Sequence, residues 1–342
     1  MQNLRDATKI FASIDLGTNT VRLLVAESDG EVLKPLYSDQ VITRLGEGLS
    51  KNGFLMDRAM ERTIAAVINF KKVASGYNPS ALWVSATSAV REAQNRNEFI
   101  QRIERLTGLE LEVIPWEEEA RRTLLGVFSG NLPLPILPFG FAQGKLQEGG
   151  RGRSIIFDIG GGSTEFIFAR DKKMIKSFGT DLGVVHLAEK YIKSDPVDEE
   201  EFKVMEKVIE DKVKIVRDEI NSKLNPESSS GQNSKHLIGT AGTVTTLAAL
   251  NLNLNQYDSK KVNNYILKLE KVKLLLSRLK TLTLRQRRDI PLLEGREDLI
   301  IPGTVIVIKT MEIFGFSEMI VSDYGLREGI ILAKMNIRKP RT

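Results

Sequence analysis

The chain has 342 residues, 42% of them hydrophobic and 27% charged, the makeup of an ordinary globular protein long enough for two domains. It has no cysteine and only two histidines, His186 and His236, which excludes disulfides, thiolate metal sites, cysteine nucleophiles and His-rich metal centres. The net charge of +5 is uneven: Lys260–Arg288 holds ten Lys/Arg against one Asp/Glu, leaving the rest of the chain at −4. Such a segment fits either a polyanionic partner or a solvated helix face. No run of about 18 apolar residues occurs, and the polar N-terminus lacks a signal-peptide core. A cytoplasmic protein with no membrane contact is therefore expected.

In chain order, the first elements are three strands, Ile10–Ile14, Thr20–Glu27 and Glu31–Tyr37, joined by "GTN" and by an "SDGE" hairpin turn. Residues Thr43–Gly53 read as loop, and Asp57 as the N-cap of an amphipathic helix reaching about Ala74. "ALWVSAT" is a strand leading into the helical "SAVREAQNRNEFIQRIERL", "LELEVI" a further strand, and "EEEARRTLLGVF" a further helix. This alternation predicts an α/β layered domain. Residues 131–153 are rich in Pro and Gly without periodicity and read as a linker or mobile insertion between two halves.

A second strand-turn-strand unit begins at Ser154, with "RDKK" as its hairpin turn. Helices around Gly183–Ile192 and Glu199–Asn221, a polar loop at Asn225–Lys235, and the strand, glycine turn and helix of "HLIGTAGTVTTLAAL" follow. The basic region, with its leucines at helical spacing, reads as helical. "REDLIIPGTVIVIKTMEIFGF", the strand "EMIVS" and a helix from about Leu326 to Met335 complete the chain.

Two turns share one grammar. "DLGTNT" opens with Asp15 and "DIGGGST" with Asp158, and Glu165 stands in the second hairpin where Arg22 stands in the first. Such a duplication suggests two lobes with a cleft between them. Gly17, Gly160, Gly161 and Gly162 free the backbone to aim N–H groups at phosphate oxygens, and Thr18, Asn19, Thr20, Ser163 and Thr164 add polar side chains. Asp15, Asp158 and Glu165 would repel bare phosphate, so they are expected to hold a divalent cation, through water, that bridges to it. The plainer alternative is a pair of tight turns with capping aspartates. No P-loop or Rossmann fingerprint is present, and both histidines read as structural.

These turns, together with "SATSAVREAQN" (Ser85–Asn95), "EEEARRTLLGV" (Glu117–Val127), "GTAGTVTTLAAL" (Gly239–Leu250), "GREDLIIPG" (Gly295–Gly303) and "SDYGLREGI" (Ser322–Ile330), resemble the exopolyphosphatase/guanosine pentaphosphate phosphohydrolase family of the actin-like ATPase superfamily. The resemblance implies an α/β fold of two actin-like (ribonuclease H-like) domains. Each would be a mixed five-stranded sheet with helices on both faces, with the active site in the interdomain cleft. Domain I would cover residues 1–130 plus a C-terminal helix at about 324–342, and domain II residues 154–323. It also implies hydrolysis of terminal phosphoanhydride bonds of inorganic polyphosphate, or of the pppGpp 5′-phosphate, with Mg²⁺ or Mn²⁺. A homodimer without DNA or membrane partners goes with it.

In "EEEARR" the resemblance places the catalytic base at Glu119, with Glu118 beside it. A carboxylate can align and deprotonate the attacking water, although three glutamates at a helix start can equally just complement the helix dipole. Arg22, Arg91 and Arg296 match family arginines, and their forked donors suit phosphate. The turn Gly239, Thr240, Ala241, Gly242 and Thr243 resembles the nucleoside-binding turn of the superfamily. Pro115-Trp116 stands where the family usually has Ser-Gly, just ahead of the base. Two other readings stay open: an ATP-dependent small-molecule kinase of the same superfamily, or a non-catalytic polyphosphate- or (p)ppGpp-binding module.

Overall fold

Side chains alternate across a strand, so the parity of each apolar position decides what the two hairpins face. The computed structural model describes residues 8–28, 33–130, 132, 153–223 and 234–338. The first half runs β1 (Lys9–Leu16), β2 (Thr20–Ser28), β3 (Leu33–Ile42), α1 (Leu49–Asn52), α2 (Asp57–Ser75), β4 (Ala81–Ala86), α3 (Ser88–Glu92), α4 (Arg96–Thr107), β5 (Leu111–Val113) and α5 (Trp116–Ser129). Its strands form one sheet in the order β3-β2-β1-β4-β5, antiparallel on the hairpin side and parallel beyond β1.

The second half runs β6 (Arg153–Ile159), β7 (Thr164–Arg170), β8 (Lys173–Thr180), α6 (Val184–Tyr191), α7 (Glu199–Lys223), β9 (Ser234–Thr240) and α8 (Ala241–Asn251). It continues with α9 (Ser259–Val262), β10 (Ile266–Lys268), α10 (Leu269–Thr281), α11 (Leu284–Arg288), α12 (Ile300–Phe314), β11 (Glu318–Val321) and α13 (Leu326–Arg338). Its sheet is ordered β10-β11-β9-β6-β7-β8, so β8-β7-β6-β9-β11 repeats the topology of the first.

Two α/β sheets with helices on both faces are thus present, but the second has six strands rather than the expected five. The extra strand, β10, pairs antiparallel with β11 inside the basic stretch expected to be helical. Three residues with only Leu267 buried are too short for alternation to show against the leucine spacing of α10. Asp57 is the first helical residue of α2 rather than its cap, and it receives Arg102 of α4 at 2.8 Å. The Thr43–Gly53 loop contains the short helix α1. The "RDKK" turn closes with Asp171 and Lys172 at φ 52° and 63°, as a tight hairpin requires. The expected linker at residues 131–153 and the polar loop at 225–235 lie, apart from their ends, outside the described residues.

Parity assembles the layers. Ala12, Ile14 and Leu16 of β1 face a core closed by Met60, Val67 and Phe70 of α2 and by Phe99 of α4. Phe11 faces the other way, with Ile331 of α13, and stacks on Trp83. In β6, Ile155, Phe157 and Ile159 join the core beneath α7, α8 and α12, while Ile156 faces Ala120, Leu124 and Val127 of α5. Helices α5 and α13 therefore lie side by side between the sheets, and α13 also rests on β1. Their crossing depends on two glycines. A Cβ on Gly126 would come 1.8 Å from the Gly325 carbonyl oxygen, and one on Gly329 1.8 Å from that of Arg122.

Polar links join the halves across the far side. Arg44 donates twice to Asp298, at 2.7 and 2.9 Å, and the Glu189 carboxylate accepts from the Gly48 N–H and the Ser50 hydroxyl. Among the described residues no helix is long and apolar enough to cross a membrane.

Candidate active site

Asp15 shares the parity of Phe11, and Asp158 that of Ile156, so both point toward the helix pair and toward each other. The hairpins match in register and in the hydrogen bond that closes each turn. Asp15 is registered with Arg22 and Asp158 with Glu165. The Gly17 N–H donates to the Thr20 carbonyl at 3.1 Å, and the Gly160 N–H to the Ser163 carbonyl at 2.8 Å. The turns approach so closely that a Cβ on Gly161 would lie 2.8 Å from Thr18 Cβ, and one on Gly162 2.1 Å from Ser88 Oγ. Together they enclose one cavity of about 70 Å³, lined by Asp15, Gly17, Thr18, Asn19, Thr20 and Arg22 from one side. Asp158, Gly160, Gly161, Gly162, Ser163 and Glu165 line the other, and Glu119 and Arg296 complete it.

Glu119 enters from the first turn of α5, where its N–H is bonded to the Pro115 carbonyl. Its carboxylate receives Arg91 Nη1 at 2.8 Å, and the same nitrogen donates to the Ile114 carbonyl at 2.9 Å. Arg91 Nε and Nη2 are buried without a partner. Burial pushes Glu119 up to about 7; Arg91 opposes the shift, and Asp158 and Asp15 add to it. Burial likewise raises Asp15 to about 6, with Arg22, 4.0 Å away, opposing and Asp158 reinforcing. Asp158, which accepts from Thr123 at 3.3 Å, and Glu165, which accepts from Ser163 at 2.7 Å, are also raised by burial, Glu165 further by Glu119 and Asp158.

Three buried carboxyl groups and the half-buried Asp158, all with raised proton affinity, and an Asp15 Oδ1 without a hydrogen-bond partner mark a place short of positive charge. Among the described residues no group of three or more His, Asp or Glu is close enough to grip an ion directly. The donor set fits a divalent cation held through water. At Arg22 and Arg296 the imbalance has the opposite sign. Burial lowers Arg296 to about 10, and the neighbouring Arg22 guanidinium adds to the shift. Two cations pressed together in a cleft suit an anion.

Not every expected residue converges. Glu118 turns away: its carboxylate takes Arg121 at 2.7 Å and Arg122 at 2.6 Å, and Arg121 foremost holds it below its ordinary range. Thr164 donates to the Leu182 carbonyl at 2.6 Å, a turn contact outside the cavity wall. Gly239 packs in the core, where a Cβ would meet Phe157 at 2.9 Å. Arg91 reaches the cavity only through Glu119.

Thr240, Ala241 and Gly242 border a second cavity of about 1160 Å³ that opens off the first beside Arg22, Asp158 and Arg296. Ala241 holds φ 70°, a left-handed conformation uncommon outside glycine, and Thr243 borders the smaller cavity. Gly242 leaves room for Arg296, whose Nη1 would lie 2.0 Å from a Cβ there.

The larger cavity adds residues given no role from the sequence. Arg327 donates to Ser38 Oγ at 2.8 Å and to the Asp323 carbonyl at 3.3 Å, and Tyr257 donates to the Asp323 carboxylate. Ser88 and Thr87 line the smaller one. Of these, Thr87, Ser88, Asp323 and Arg327 lie in the stretches "SATSAVREAQN" and "SDYGLREGI", their one signal in the sequence, whereas Ser38 and Tyr257 lie outside both.

The model of the Ppx/GppA phosphatase family matches residues 24–134 and 142–337. The chain belongs to that family. Over 94% of its length it is 28% identical to Exopolyphosphatase 2 of Mycobacterium tuberculosis, of which it covers 97%. Over the same share it is 30% identical to the bifunctional 3-dehydroquinate synthase/phosphatase of Fusobacterium nucleatum, and it spans 46% of that longer protein. The crystal structure of the Ppx/GppA family member from Aquifex aeolicus superposes with a TM-score of 0.74 at 30% identity, covering 97% of this chain and 99% of that one. An exopolyphosphatase from Cytophaga hutchinsonii reaches 0.82 at 24% identity over 97% of this chain and 99% of that one, a likeness of fold. The two-domain α/β fold expected from the resemblance is therefore the fold of this Ppx/GppA member.

Proposed function

We propose that this Ppx/GppA member is an exopolyphosphatase that releases the terminal phosphate of inorganic polyphosphate, with Glu119 as general base. The observation that carries this reading is the convergence of both matched hairpins and Glu119 on one cavity. Backbone N–H groups of the two turns and the Arg22 and Arg296 guanidiniums hold the terminal phosphoryl oxygens. Glu119 orients a water in line with the bridging oxygen and takes its proton as the new O–P bond forms and the old one breaks, freeing phosphate and a chain shorter by one. Arg91, bonded to Glu119, fixes the direction of that carboxylate. A Mg²⁺ or Mn²⁺ ion held through water by Asp15, Asp158 and Glu165 would offset the charge of the phosphoryl oxygens.

A second reading, hydrolysis of the pppGpp 5′-phosphate, is favoured by the larger cavity. Its lining of Arg22, Lys260, Arg296 and Arg327 is offset by Asp39, Asp158, Glu294, Asp323 and Glu328. A roomy wall of mixed charge suits a ligand that brings an uncharged base and ribose alongside its phosphates better than an uninterrupted phosphate chain. Phosphate release measured side by side on polyphosphate, pppGpp and ATP tests both readings. Release from polyphosphate that weakens steeply with salt is expected. ATP-dependent phosphorylation of a small metabolite, with no release from polyphosphate, would select a kinase instead.

A further inference from the structure

We infer that Trp116 is a positioning residue: its indole is a peg between the two halves that holds the Arg91 guanidinium against Glu119. Trp116 is the first residue of α5, three positions before Glu119, so the ring and the carboxylate emerge from the same turn. The Arg91 Cζ sits 4.0 Å from the centre of the indole. A guanidinium over an aromatic face is held there by the ring quadrupole, more strongly once water is excluded.

Arg91 needs that hold. Among the described residues its guanidinium makes hydrogen bonds only to Glu119 and to the Ile114 carbonyl, both from one nitrogen, and its Nε and Nη2 are buried without a hydrogen-bond partner. Hydrogen bonds from a single nitrogen leave the planar group free to pivot. The ring removes that freedom.

The benzo portion of the same indole rests on the other half of the molecule. A Cβ on Gly179 would lie 2.2 Å from Trp116 Cε3 and 2.8 Å from Cζ3. Gly179 is on β8 in direct register with Glu165, which in turn is registered with Asp158. One ring therefore joins the carboxylate row of the second sheet to the Arg91–Glu119 pair of the first half. The bulky residue ahead of the base is thus a brace for it.

The kinetic part of this inference rests on Glu119 being the base; the packing part does not. Phosphate release from polyphosphate is measured for wild type, Trp116→Ala, Trp116→Phe, Gly179→Ala and Glu119→Gln. Intrinsic fluorescence is followed in a Trp83→Phe background, where Trp116 is the only tryptophan. Trp116→Ala and Gly179→Ala are expected to lower kcat by about tenfold or more with KM within about twofold, and Trp116→Phe to restore most of the loss. Gly179→Ala and Arg91→Met should each shift the Trp116 emission maximum.

Unchanged emission in both variants would overturn the packing. A wild-type kcat in Trp116→Ala or Gly179→Ala, or a loss confined to KM, would overturn the positioning role while an inactive Glu119→Gln left the base in place. An active Glu119→Gln would instead remove the base, and the kinetic role of Trp116 with it. Gly179→Ala, which leaves the indole intact, keeps the test open should Trp116→Ala fail to fold.

Discussion

Replacing Glu119 by glutamine should stabilise the cation-free protein at alkaline pH, although the same change removes the proposed base. Glutamine keeps the volume and the acceptor oxygen facing Arg91, so the charge is what changes. The carboxyl group is raised from 4.5 to about 7, and each unit corresponds to about 1.36 kcal/mol, so the ionised form strains the fold by about 3 kcal/mol. A folded-state value above the unfolded one means that this contribution is absent below about pH 4 and complete above about pH 8. Asp15, Asp158 and Glu165 are raised too, so wild type and variant both lose stability as pH rises, wild type more steeply. Urea unfolding in chelator should give curves that coincide near pH 4 and separate by about 3 kcal/mol in favour of the variant near pH 8.5. A variant no more stable than wild type at pH 8.5 would refute the claim that Glu119 is held ionised against its surroundings.

Other perturbations read other parts of the structure. Gly329→Ala places a methyl 1.8 Å from the Arg122 carbonyl and should destabilise by about 1–3 kcal/mol or more, with unfolding by denaturant as the check. Arg296→Gln removes a charge disfavoured by burial and then by Arg22, so it should raise the stability of the free protein while raising the polyphosphate KM by about tenfold or more. Asp298→Ala removes the two-pronged link from Arg44, and small-angle scattering of the free protein should report a larger radius of gyration.

The hairpins were legible because strand alternation and glycine turns are local rules: parity puts Asp15 on the side of Phe11 and Asp158 on that of Ile156, and the packing of α5 and α13 turns those sides toward each other. Glu118 and Glu119 could not be told apart that way. Neighbours on a helix point about 100° apart, and which one enters the cleft depends on where Arg91, Arg121 and Arg122 stand. Arg327 was invisible as a cavity residue because its place follows from α13 crossing α5 at Gly126 and Gly329, a contact no local pattern encodes. The sixth strand escaped for a related reason: β10 exists because β11 offers it an edge.

The most direct measurement of the central claim is kcat for phosphate release from polyphosphate by Glu119→Gln, at saturating substrate with Mg²⁺, after circular dichroism has shown the variant folded. With Glu119 as the base, kcat falls by about 10²–10⁴-fold while KM stays near that of wild type. A folded variant that turns over at close to the wild-type rate would contradict it.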